Sequence, residues 1–259
     1  MKKLLSLSAL AGVVLAFAPL ASADIVTQMT LSDTFGDSIS LDVSSAGVLS
    51  FVCNSGTCSG INATNTTVDK AHGTIDINGG TLGGGANTFT INATGKGGAD
   101  SFLPTLQNLN QINALNNSTT AATLTTFFTD TLYNDMSSTL NVANSNTTDV
   151  GISSSTVTFD VFTSATNQLA GGTMLETDTL TNHSDNNGAN GVNVANPNSP
   201  SGSLTTETVL KFTGAGDIQA NNSISNVAAV PEPTSVVLFG SLFVGIAAAM
   251  KRKRKSNTV

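Results

Sequence analysis

The chain has 259 residues, with ten Lys and Arg against seventeen Asp and Glu, a net charge of −7 and no Trp. Outside its C-terminal end the chain lacks the clustered Lys and Arg that phosphate binding needs, which rules against nucleic acid as a partner of its body. Aromatic residues make up only 5% of the chain, so platforms for stacking sugar rings are scarce.

The N-terminus opens on Lys2 and Lys3, followed by an apolar stretch over residues 4–20 and then Ala21-Ser22-Ala23. A positive start, a short apolar core and an A-x-A site with Ala21 and Ala23 describe a secretory signal peptide. Residues 1–23 are therefore expected to be a signal helix, handled by the Sec translocon and signal peptidase, with Asp24 as the first mature residue. Between the two targeting ends only Lys70, Lys96 and Lys211 stand against sixteen acids, a balance of −13. Such a polyanionic body suits a secreted protein.

The body, 24–229, is long enough for one sizeable domain. Residues 25–31 are rich enough in β-branched side chains for a strand, and 38–43 set Ile39, Leu41 and Val43 against Ser40 and Asp42. Residues 48–52 follow a Gly47 turn. Residues 74–77 and 88–91 flank glycines 79–85, which reads as a hairpin with a wide loop. Leucines and an isoleucine recur every third residue from Leu103 to Leu115, which fits a short helix or an ordered loop, and Ser101, placed to cap it, favours the helix. Residues 124–132 carry a helical apolar face but also a crowd of threonines, and β-branching favours strand. Residues 155–162 alternate cleanly, with Val157, Phe159 and Val161 on one face and Thr156, Thr158 and Asp160 on the other. Residues 182–202 are Asn, Asp, Gly, Ser and Pro, and are expected to form a loop. Strands over 204–212 and 217–227 complete an all-β pattern. The expectation is an antiparallel β-sandwich, jelly-roll-like.

Little here points to chemistry. Cys53 and Cys58, the only cysteines, are expected to form a disulfide in an oxidising compartment. They lack C-x-x-C spacing, and His72 and His183 lack ligand spacing, so no metal is expected. Neither histidine lies near a nucleophile signature. Glu176, Asp178 and Glu207 are candidates for a glycosidase carboxylate pair by residue type alone. The oxygen-rich stretch 185–191 fails the EF-hand order of calcium ligands, with Ala189 at the fifth position. No catalytic residue and no cofactor emerge.

The C-terminus carries the most specific pattern. Pro231-Glu232-Pro233 is followed by an apolar run over 234–250, then Lys251, Arg252, Lys253, Arg254 and Lys255. Seventeen helical residues rise roughly 25 Å, just short of a hydrocarbon core, and the basic cluster stays cytoplasmic. These three ordered parts, over 230–255, resemble the PEP-CTERM sorting signal of Gram-negative bacteria. The resemblance implies a C-terminal transmembrane helix and recognition at Pro231, Glu232 and Pro233 by an exosortase. The protein would be held briefly in the inner membrane with its body outside, then processed to the cell surface or matrix. Because the family is associated with bacteria that make exopolysaccharide, the resemblance also implies that polymer as a matrix partner. The leading expectation is an exported, non-enzymatic surface or biofilm-matrix protein. A secreted carbohydrate- or calcium-binding adhesin is the alternative, and a secreted hydrolase a third.

Overall fold

Strand β10 (Thr156–Ser164) shows how this chain makes a sheet. Val157, Phe159 and Val161 are buried while Thr156, Thr158 and Asp160 are half-exposed, the period-2 alternation of a strand with one face on a core. The computed structural model describes residues 25–69, 73–97, 106–133, 136–148, 155–181, 184–186 and 191–227. Residues 1–23, read as a signal peptide, the Pro-Glu-Pro tail with its apolar run and basic cluster, His72 and His183 lie outside the described residues.

The other strands are β1 (Ile25–Asp33), β2 (Ser38–Ser44), β3 (Leu49–Ser55), β4 (Thr66–Asp69), β5 (Thr74–Gly84), β6 (Asn87–Gly97), β7 (Leu106–Asn116), β8 (Ala122–Tyr133), β9 (Thr139–Thr148), β11 (Thr173–Thr181), β12 (Ser184–Asn186), β13 (Val192–Ala195), β14 (Gly202–Phe212) and β15 (Gly216–Asn226). They form two antiparallel sheets. One has seven strands in the order β11-β10-β14-β8-β1-β2-β3. The other has eight, β12-β9-β15-β7-β6-β5-β4, with β13 also on β9. The chain lays down β1 to β3 in the first sheet and β4 to β7 in the second. It then alternates, placing β14 between β10 and β8, and β15 between β9 and β7. The result is the expected all-β, jelly-roll-like sandwich. Among the described residues no helix is long and apolar enough to cross a membrane.

Three local expectations are corrected. The three-residue period after Leu103 is no helix: residues 106–116 are strand β7. Its inner face mixes buried Asn110 and Asn116 with Ile112 and Ala114, and buried amides hide the alternation. The glycine run is no wide loop. It is the end of β5, bulged between Ile77 and Gly80, and the hairpin turns tightly between Gly84 and Asn87. Within 182–202, β12 and β13 both pair with β9, so this polar segment edges the eight-stranded sheet.

Two apolar clusters fill the space between the sheets. The larger includes Phe89, Phe128, Phe159, Leu31 and Leu41, and Phe89 meets Phe212 at 5.4 Å between ring centroids. The smaller gathers Tyr133, Met136, Leu140, Val142, Val161, Leu204 and Ile224. A polar belt lies between them. On β15, Asn222 separates Ala220 from Ile224, and on β14, Thr206 and Thr208 separate Leu204 from Leu210. Asn110, Asn222 and Asn144 are direct neighbours across β7, β15 and β9. Asn222 Nδ2 donates to Asn144 Oδ1 at 2.5 Å, Asn144 Nδ2 to Asp178 Oδ2 at 3.2 Å, and Asn110 Nδ2 to Thr208 Oγ1 at 3.4 Å. A one-residue slip of either sheet would turn these amides out and bring polar outer residues in, and a two-residue slip would put the amides into the apolar clusters, so the belt penalises wrong registers.

The sheets approach most closely where side chains are absent. A Cβ on Gly95 would lie 2.1 Å from Phe128 Cδ2, and one on Gly97 would lie 2.3 Å from Asp130 Cβ. The described chain starts and ends at one pole. Thr131 Oγ1 donates to the carbonyl of Val26 at 3.1 Å, and Ser137 N to Asn226 Oδ1 at 2.7 Å, both just off the end of β8. The disulfide and the turn after β1 occupy the opposite pole.

Candidate functional site

The outer face of the eight-stranded sheet carries two parallel rows of polar side chains across its central strands. In the first row Asp76 (β5), Thr94 (β6), Gln111 (β7), Asn221 (β15) and Ser145 (β9) are direct cross-strand neighbours. In the second, Asn92, Asn113 and Gln219 stand side by side on β6, β7 and β15, with Asn78 next to them at the β5 bulge. Strand spacing sets about 4.8 Å between neighbours in a row. Together the rows line a groove of about 420 Å³.

The bulge shapes one wall. Gly79 takes φ +67°, which glycine adopts without strain, and its N–H donates to Asn92 Oδ1 at 2.8 Å. Asn221 Nδ2 reaches Ser145 Oγ at 3.4 Å. Gln111, Asn113, Gln219, Asn78, Thr94 and Asp76 make no side-chain hydrogen bond to a described residue. Each amide offers two donors and an acceptor, so the groove presents paired donors and acceptors still open to a partner. No Lys, Arg or aromatic side chain lines it.

The sequence-named carboxylates lie elsewhere and do not converge. Glu176 and Asp178 sit on the inner side of β11, opposite Val161 and Phe159 of β10. Glu207 sits on the outer side of β14, directly across from Asp160 on β10. Burial, then the charge of Asp178, pushes Glu176 up to about 7. Burial, then the charge of Asp160, pushes Glu207 up to about 7 as well. These are two separate like-charge pairs on opposite faces of one sheet, and Glu176 and Glu207 do not face each other across one cleft. Cys53 and Cys58 are joined, with Cα atoms 5.7 Å apart, as expected of the two cysteines of a chain read as exported. A second hollow of about 460 Å³ opens beside the disulfide, lined by Ile39, Phe51 and Ile61 among others. Among the described residues no three His, Cys, Asp or Glu gather as a metal site.

The groove residues were not singled out in the sequence. The signal that marks them is the run of Asn and Gln at alternate positions of β7 and β15, which is visible only once both segments are known to be strands.

No family model matches the chain, and no curated protein does. Among solved structures it is similar to a family 11 carbohydrate-binding module from Clostridium thermocellum in complex with a β-1,3-1,4-mixed-linked tetrasaccharide. That overlap covers 57% of this chain and 88% of the module at 13% identity, with a TM-score of 0.32. It is also similar to TmCBM61 in complex with β-1,4-galactotriose, at 9% identity and TM-score 0.27 over 53% of this chain and 86% of that one. A third likeness is to carbohydrate-binding modules of the β-sandwich superfamily, with 7% identity, TM-score 0.29, and coverage of 78% and 84%. Likenesses this distant carry no argument about a ligand.

Proposed function

We propose that this protein is an exported, non-enzymatic surface module that holds a polysaccharide in the amide groove. The observation that carries the reading is the double row of unpaired Gln, Asn and Thr side chains across β5, β6, β7 and β15. A sugar hydroxyl both donates and accepts, and a side-chain amide does the same, so adjacent hydroxyls match adjacent amides. A polymer lying along a row meets a fresh polar side chain at each strand. Without aromatic stacking the affinity of one groove is modest, with Kd on the order of 0.1–1 mM, and many copies on one surface supply avidity. The Pro231-Glu232-Pro233 signal would deliver those copies through an exosortase after Sec export, which fits a matrix role.

Affinity electrophoresis through gels containing soluble polysaccharides tests the groove. The wild-type chain is expected to be retarded by at least one polymer, and the Gln111→Ala/Asn113→Ala/Gln219→Ala variant to run free. Equal retardation of both would remove the groove from the account. Mass spectrometry of the surface-exposed protein tests the delivery. Loss of residues 251–259 is expected, and finding them intact on most molecules would contradict processing.

A further inference from the structure

We infer that the groove prefers an amino-sugar polymer carrying free ammonium groups over an acetylated or acidic one. This inference rests on the polysaccharide reading above and narrows it to a substrate class.

Three observations converge. Asp76 is the one ionisable side chain among the groove residues, and it heads the first row. It is half-buried, and no described residue hydrogen-bonds it. Its partly desolvated carboxylate is thus available for a charge-assisted hydrogen bond to an ammonium group, stronger than a bond between neutral partners. Next, the lining contains no Lys or Arg. The cation nearest the row on that face, Lys96 across from Thr74, stands outside the lining, so a uronate or sulfated chain would be desolvated in the groove without a lining cation to compensate its charge. Finally, the body between the targeting segments carries −13. Its field draws polycations towards the surface and repels polyanions, most strongly at low salt. The long-range field sets the sign of the partner, and Asp76 fixes the point of contact. Thr94 and Gln111, its neighbours in the row, are left to meet the hydroxyls of the same and the next sugar.

A net negative surface also attracts any polycation loosely, so the test must separate site from field. Isothermal titration of the full-length protein at low salt and pH 6 uses three probes of equal length: oligoglucosamine, oligo-N-acetylglucosamine and an oligouronate. Oligoglucosamine is expected to bind at least tenfold more tightly than the acetylated oligomer, with no binding of the uronate. Asp76→Asn is expected to abolish that preference while leaving the melting temperature unchanged. Asp160→Asn, which alters a carboxylate on the opposite face, is expected to keep it. Equal affinity for the two glucosamine oligomers would overturn the inference and leave the groove reading intact. Equal losses in the Asp76 and Asp160 variants would show field attraction alone and also overturn it. If no oligomer binds but other polysaccharides retard the protein in gels, the inference falls by itself. If nothing binds in either assay, both fall.

Discussion

The outer faces of the two sheets use similar polar residues to opposite ends. On the seven-stranded sheet the side chains satisfy one another. Gln28 Nε2 donates to Asp42 Oδ1 at 2.7 Å, Thr30 and Ser40 hydroxyls meet at 3.1 Å, and Thr129 and Thr205 hydroxyls meet at 2.9 Å. The loop after β10 adds a cover, with Ala170 N donating to Thr129 Oγ1 at 3.2 Å and Ser203 Oγ to the carbonyl of Gln168 at 2.8 Å. Thr205 and Ser203 are fully buried as a result. On the eight-stranded sheet, Gln111, Asn113 and Gln219 spend none of their donors on a described residue. One face is knitted together by its own side chains, and the other turns its donors and acceptors to solvent.

Four substitutions or conditions would break or sharpen that contrast, taken from the largest effect on stability to the smallest. Gly95→Ala drives a methyl group into Phe128 and wedges the sheets apart, so both faces fail together. A loss of about 2–4 kcal/mol is expected in urea unfolding, in line with overpacking against a fixed aromatic ring. Thr129→Val keeps the volume but strips the hydroxyl from the knitted face, leaving the Ala170 N–H without its acceptor. That costs about 1–3 kcal/mol with no change in polysaccharide retardation. An equal effect on binding would mean the two faces are not independent.

Acidity gives a third handle. Glu207 and Glu176 are both raised to about 7 from 4.5 in the folded chain. The folded state therefore binds more protons than the unfolded one between those values. Stability is greatest below about 4.5 and declines as pH rises through 7. The melting temperature should be higher at pH 5 than at pH 8. Glu207→Gln should raise it at pH 8 and flatten the profile, by on the order of 1 kcal/mol once solvent screening is allowed for. A profile unchanged by that variant would mean Glu207 is not raised as described. The smallest stability effect belongs to the groove itself. The Gln111→Ala/Asn113→Ala/Gln219→Ala variant should unfold within about 0.5 kcal/mol of wild type while losing retardation, because exposed side chains without protein partners contribute little to stability. A large loss of stability would mean the rows are structural after all.

Much of the fold was legible in the sequence, and the reason is local. β2 and β10 set Ile39, Leu41, Val43 and Val157, Phe159, Val161 against Ser, Thr and Asp at period 2, and glycines such as Gly47 mark turns. The disulfide followed from reading the chain as exported with two cysteines. β7 and β9 were not legible, because their inner faces carry Asn110, Asn116, Asn144 and Asn146, all buried. When amides point both inward and outward, alternation of character disappears and only the backbone still alternates. The groove was hidden for a further reason. Its rows join residues 76, 94, 111 and 221, which become neighbours only through strand pairing. Residue type drew attention to Glu176 and Glu207, but type says nothing about which side of a sheet a carboxylate occupies.

The shared pole at which Ile25 enters and Val227 leaves has a geometric consequence. If the protein is held upright by that pole, as a short tether in the proposed sorting route would hold it, its strands stand across the anchoring surface and the disulfide-closed tip points outward. The amide rows cross the strands, so they lie level with the anchoring surface. A long polymer seated in them would run sideways from one molecule to the next, lacing neighbours together in a sheet instead of projecting outward as a brush.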